Sequence, residues 1–210
     1  PTLRILVKPL IASLLPGIDD ESSEFQPLTM DLIETLKENL ADDSLFWQTC
    51  FIVMITNKDR RLGGLIWLTK KLPSLNAVPH LVAKRKKDLE ENPTIQKRET
   101  LDKKGQRDSA LSLLLPNARD IVSPEPGLLI RCLISCLDED NDIIIQRGIL
   151  DLLLQRVLLD SPVLQTLVSP KDKELLVMGC CKTMLKRDMS LNRRIWNWLL
   201  GPNTNNQQQP

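Results

Sequence analysis

Leucine and isoleucine recur at helical spacing along most of the chain. From 28 to 40, Leu28, Leu32, Ile33, Leu36 and Leu40 fall on one side while Glu34, Lys37 and Glu38 fill the other, the pattern of an amphipathic helix. Asp42-Asp43-Ser44 then opens a more apolar helix through Phe46, Trp47, Phe51, Val53 and Ile55. Asn57 to Asp59 opens a third through Leu62, Leu65, Trp67, Leu68 and Leu72. Carboxylates and small polar side chains at these starts accept from backbone amides that the first turn of a helix leaves unpaired. The same reading predicts helices near 2–15, 109–115, 126–137, 142–159, 171–186 and 190–200. Proline and glycine separate them at Pro16-Gly17, Pro27, Pro73, Pro124 to Gly127, Pro162, Pro170 and Gly201-Pro202.

Two of these helices carry the same text. Asp142 to Leu153 aligns without a gap on Asp188 to Leu199, an offset of 46 residues, within the roughly 40 to 47 of HEAT and armadillo repeats. Asn57 to Leu68 is a third copy if one residue of slippage is allowed. The shared elements are a turn acid, a basic residue early in the second helix and an apolar face. The expected fold is therefore all-α, a HEAT/armadillo-like α-solenoid segment of antiparallel helix pairs, in which no pair buries its apolar face alone. Asp142, Arg147, Asp188 and Arg193 are read as a structural ladder along its turns.

Residues 76–108 interrupt this pattern. Between Lys84 and Arg107 nine basic residues face five acidic ones with few large apolar groups, which reads as an extended or partly helical, mobile insertion. The expected organisation is helical repeats over 1–75, this basic polar insertion over 76–108, helical repeats over 109–201 and a polar Asn/Gln tail over 202–210. The chain opens on Pro1 and runs straight into apolar residues, and reads as a piece of something larger.

Composition supports helix over sheet: aromatics are 3%, tyrosine is absent, and the β-branched and aromatic enrichment of strands is weak. Twenty-eight basic against 27 acidic residues leave a net charge of +1, so any electrostatic binding is local. Five cysteines, an odd number without framework spacing, do not form a disulfide scaffold. No apolar run reaches the roughly 18 to 20 residues that span a bilayer, and no signal peptide is visible. The chain is expected on the cytosolic side.

Candidate chemistry is sparse. His80, the single histidine, stands beside Pro79 with no nucleophile near it, and no G-x-S-x-G, Walker A, H-E-x-x-H or G-x-G-x-x-G sequence occurs. Asp138-Glu139-Asp140-Asn141-Asp142 begins like a calcium loop, yet position six is Ile143 and position twelve Ile149, where glycine and glutamate are needed. Cys132, Cys136, Cys180 and Cys181 lack C-x-x-C spacing and read as structural thiols. No enzyme activity, metal or cofactor is expected. Trp47 and Trp67 belong to the core. Trp196 and Trp198, about 200° apart on one helix, cannot face the same layer, so one is expected to meet a following repeat or a partner.

Two groups of cations remain as a partner or anionic-lipid surface: Lys182, Lys186, Arg187, Arg193 and Arg194, and Lys84, Arg85, Lys86 and Lys87. A protein-binding solenoid surface, an anionic membrane and a nucleic acid could each use them. The bland reading is a helix carboxyl end with ladder arginines for the first group, and a solvated linker for the second.

The stretch Lys186 to Gly201, with Arg187-Asp188-Met189-Ser190-Leu191-Asn192-Arg193-Arg194 at its centre, resembles the hallmark segment of the Dopey family's amino-terminal domain. Leu14 to Ile18, Phe46-Trp47, Arg61 to Leu65, Pro126 to Leu129 and Ile145-Gln146-Arg147 leading to Leu150-Asp151-Leu152 support it in order. The insertion and tail suggest a fungal member. The resemblance implies a large protein peripheral to Golgi and endosomal membranes, acting in transport between endosomes and the trans Golgi and in endomembrane organisation. It implies as partners a large Golgi scaffold related to Arf exchange factors and an aminophospholipid flippase, with reported links to kinesin light chain and phosphoinositides, and no nucleic acid. It carries no catalytic residue onto this chain.

Overall fold

A computed structural model of the chain describes residues 2–91, 103–123, 125–138, 140 and 142–201. The described residues are helical, with no strand among them. In chain order the helices are α1 (Thr2–Leu14), α2 (Phe25–Leu40), α3 (Asp43–Thr56), α4 (Arg61–Lys71), α5 (Pro79–Glu91), α6 (Lys103–Ser112), α7 (Pro116–Val122), α8 (Pro126–Leu137), α9 (Ile143–Arg156), α10 (Pro170–Met184) and α11 (Met189–Leu200). Tight 3-10 turns cover Leu15–Ile18 and Lys58–Arg60, and a single π turn covers Val163–Leu167.

The helices pack as two rows. In one, α3 lies against α1 and α8, and α8 against α10; in the other, α4 lies against the Leu15–Ile18 turn and α9, and α9 against α11. Chain neighbours α3 and α4, α8 and α9, and α10 and α11 join the rows. α3 touches α1, α2, α4, α7 and α8, so little of it is exposed, and its apolar residues are spread round the helix for that reason. Its Phe46 and Trp47 meet Trp67 of α4 edge-on and tilted, at 5.8 and 6.4 Å between ring centroids, and Trp47 stacks on Phe51 at 6.2 Å. All four rings are buried, each burial favouring the fold by about 1.5–3 kcal/mol.

The helix expected over 109–115 instead runs over Lys103–Ser112, and a separate short helix follows over Pro116–Val122. Pro116 can begin a helix but cannot continue one, and it holds Leu115 extended, so α6 stops at Ser112 and α7 starts at Pro116. The 76–108 stretch contains α5 and the start of α6; residues 92–102 and 202–210 of the expected insertion and tail lie outside the described residues. Its first residues are fastened to the end of α9. The Leu75 amide donates to the Arg156 carbonyl at 2.8 Å, and the Asn76 side chain accepts from the Leu158 amide at 2.8 Å. Val78 donates to the Leu113 carbonyl at 3.0 Å.

Within the second row, α4 crosses the Leu15–Ile18 turn at close range. A Cβ at Gly63 would lie 2.1 Å from the Leu15 carbonyl oxygen, a backbone atom that cannot move aside. At Gly179 in α10 a Cβ would meet only Leu137 carbons, from 3.8 Å outward. Gly63→Ala should therefore cost about 1–3 kcal/mol by overpacking, whereas Gly179→Ala should gain up to about 1 kcal/mol in helix propensity. Urea unfolding of the two variants checks this, and equal midpoints would contradict the row packing.

Candidate functional site

The second-row helices α9 and α11 share a way of beginning. Asp142 accepts from the Ile144 amide at 2.9 Å to open α9, and Asp188 accepts from the Leu191 amide at 2.9 Å to open α11. Four residues after each turn residue sits a polar side chain turned inward. Gln146 is fully buried, and its amide donates to the Leu137 and Asp138 carbonyls, at 3.1 and 2.7 Å, closing the carbonyl end of α8. Arg61, four after Asn57, is buried and donates from Nε to the Met54 carbonyl at 3.0 Å near the end of α3. Asn192 holds the same place after Asp188. The third copy therefore aligns without slippage, through the buried position rather than through the exposed arginine.

Ion pairs then tie each helix pair to the next. Arg147 of α9 reaches Asp188 at 2.9 Å, and Arg194 of α11 reaches back to Asp151 of α9 at 2.7 Å. In the other row, Arg131 of α8 holds Asp172 of α10 with two nitrogens, at 3.1 and 3.3 Å. The indole of Trp198 donates to the Val157 carbonyl at 2.9 Å beneath these pairs. The Arg131 hydrogen bonds, with the Ser169 hydroxyl, hold the Asp172 carboxyl below its usual range against the opposing effect of burial. Asp188 is lowered as well, first by the Leu191 amide and then by Arg147. Asp19 is raised, because burial outweighs the nearby Arg60 charge.

Of the ladder residues, Arg147 crosses to Asp188, one pair further on, while Asp142 caps its own helix. Arg193 is exposed, with no hydrogen-bond partner among the described residues. Its neighbour Arg194 makes the inward contact, since adjacent residues on a helix point about 100° apart and only one can face α9. Arg194 therefore leaves the partner or anionic-lipid surface on which it was expected. Arg85 leaves it too: its guanidinium donates to the Ser109 carbonyl at 3.1 Å and to the Ser112 hydroxyl, joining α5 to α6.

Lys84, Lys86, Lys87, Lys182, Lys186 and Arg187 are exposed. Lys182 edges a groove of about 360 Å³ between α8 and α10, together with Ile134, Met178, Asp138 and Asp140. Two carboxylates share that groove, so it offers an anion no uniformly positive surface. Arg187 takes a left-handed backbone, φ 56°, where the chain leaves α10 for the Asp188 turn. His80 is exposed on the first turn of α5. Cys50, Cys132, Cys136 and Cys180 are buried and Cys181 is exposed. Burial drives the Cys50 thiol far up and pushes Cys180 up to about 12, which disfavours the reactive thiolate. Among the described residues no group of three or more His, Cys, Asp or Glu is placed to hold a metal, and no helix is long and apolar enough to cross a membrane.

This geometry defines an all-helical domain of paired helices, joined across neighbouring pairs by arginine and aspartate side chains. The family model described as "Dopey, N-terminal" matches residues 1–204. Protein DOP1 of Saccharomyces cerevisiae is 66% identical over 203 residues, covering 96% of this chain and 12% of the relative. Protein dop1 of Emericella nidulans is 35% identical over 214 residues, 95% of this chain and 10% of that protein. A Drosophila melanogaster DOP1 homolog is 42% identical over 74 residues, 35% of this chain and 3% of its own length. No solved structure matches. The chain belongs to the Dopey family as its amino-terminal domain, and it spans about a tenth of the length of its fungal relatives.

The lowered Asp172 carboxyl has a signed consequence. A carboxyl that holds its proton less tightly folded than unfolded contributes stability that is full above the ordinary 3.8 and is lost as pH falls through the lower folded value. Asp172→Asn should therefore unfold at lower urea than the parent at about pH 7, with the gap closing towards about pH 3. A gap that stays constant with pH would mean that Asp172 acts through shape and not through charge.

Proposed function

We propose that this domain is a HEAT- or armadillo-like solenoid segment acting as a non-catalytic scaffold in a large protein peripheral to Golgi and endosomal membranes. Its role is vesicle-mediated protein transport between endosomes and the trans Golgi, and the organisation of those membranes. The observation that carries the reading is the coupling of successive helix pairs: Arg147 with Asp188, Arg194 with Asp151 and Arg131 with Asp172 each bridge one pair to the next. Such joints hold an extended surface rigid without enclosing a reaction site. Membership of the Dopey family supports the membrane setting, and the raised Cys50 and Cys180 thiols and the exposed lone histidine favour no reaction.

The partners proposed are a large Golgi scaffold related to Arf exchange factors and an aminophospholipid flippase. An anionic lipid surface is the weaker reading, because Arg85 and Arg194 are engaged within the fold and Lys182 shares its groove with carboxylates. Affinity capture of the tagged full-length protein, with and without this domain, tests the proposal beside an alkaline carbonate wash of isolated membranes. The expected result is release by carbonate and loss of the scaffold partner on deletion. Capture unchanged by the deletion, or resistance to carbonate, would refute it.

A further inference from the structure

The outward side of α11 carries one continuous stripe. Met189, Arg193, Trp196 and Leu200 recur at intervals of four, three and four, so they lie along one face of the helix. Met189 is 85% exposed, Trp196 50% and Leu200 74%, and Arg193 is exposed among them. The opposite side holds Leu191, Ile195 and Trp198, all buried. Three large apolar groups in line around a cation are more than the scattered exposure of a solvated helix surface.

The 46-residue repeat says what this stripe is for. Shifted back by that offset, Met189, Arg193, Trp196 and Leu200 become Ile143, Arg147, Leu150 and Leu154 of α9. All three apolar members of that older stripe are covered: Leu150 is fully buried, and Ile143 and Leu154 pack against the core. Its arginine, Arg147, donates to Asp188, the residue that opens α11. The stripe of α9 is thus the seat on which α11 rests, and α11 presents the same seat again with nothing described upon it.

We propose that the stripe Met189, Arg193, Trp196 and Leu200 seats the next second-row helix of the same polypeptide, whose opening aspartate accepts from Arg193 as Asp188 accepts from Arg147. The occupant is intramolecular because the family's proteins are long: this chain spans 12% of one fungal relative and 10% of another. An aspartate is specified by chemistry. At a helix start it can cap the first amides with one oxygen and take the arginine with the other, as Asp188 does with Oδ1 and Oδ2. Asn197 stands where α9 has Asp151, so the returning contact that Arg194 makes to Asp151 becomes a neutral one in this next joint. The inference rests on the stacked-pair reading of the fold and not on the transport role.

Oxidative footprinting of the tryptophans, read by mass spectrometry, tests it in the full-length protein and in the 210-residue chain. Trp196 should oxidise readily in the short chain and about tenfold more slowly in the full-length protein. Full-length Arg193→Glu should regain much of the fast rate, and Arg193→Lys should not. A photo-crosslinking residue in place of Trp196 should capture the stretch that directly follows the domain. Equal oxidation in both proteins, protection that survives Arg193→Glu, or capture of a distant segment or another protein would overturn the proposal. Trp198, sealed against Val157, separates the two readings: if it oxidises as fast as Trp196 in the short chain, the stacked pairs themselves are wrong.

Discussion

A helix end buried between layers leaves amides at one terminus and carbonyls at the other without partners, and each unpaired group costs on the order of 1–3 kcal/mol. At the turn from α8 to α9 two side chains four residues apart meet both demands. Asp142 takes an amide at the start of α9, and Gln146 gives its own amide protons to the last carbonyls of α8. The described turn residues Asp138, Asp140 and Asp142 stay exposed, and from the first turns of α9 Arg147 reaches Asp188. The turn from α3 to α4 uses Arg61 for the carbonyl side of the same task. Packing of the rows follows from these joints, because the crossing helices are already aligned when their apolar faces close.

The helices of the two rows were legible because their apolar residues keep helical spacing over long stretches and their ends carry acids, prolines and glycines. The 46-residue offset was legible for the same reason. Register was harder. Arginine at the fifth position after Asp142 and Asp188 was visible, but only Arg147 meets a neighbouring repeat among the described residues, at Asp188. Arg193 and Arg194 show the difficulty: they are neighbours in sequence, and the helix alone decides that Arg194 faces Asp151 while Arg193 faces away. The polar residue four after the turn was overlooked because a glutamine, an arginine and an asparagine share no charge. Gln146 and Arg61 share only a burial that needs a hydrogen-bonding group of the right length, and Asn192 is half-buried without such a bond among the described residues. For α5 and the start of α6 the sequence left extended and partly helical readings open, since their charge leaves most of their side chains solvated.

For a Dopey-family domain this architecture separates two kinds of cation. Arg61, Arg131, Arg147 and Arg194 are structural, each spent on a carbonyl or carboxylate of another element. Lys84, Lys86 and Lys87 are exposed and remain the positions at which partners can be sought without disturbing the stack.

The central claim is that neighbouring pairs are coupled through Arg147 and Asp188, and a double-mutant cycle measures that coupling directly. Asp188→Asn keeps an oxygen for the α11 cap while removing the charge, and Arg147→Met keeps most of the apolar stem while removing the guanidinium. The account predicts that each variant lowers the urea midpoint and that the double variant unfolds close to the single ones, because the second change finds the contact already lost. Midpoint shifts that simply add would contradict it, showing that the two residues act separately and that the pairs are held together by something else.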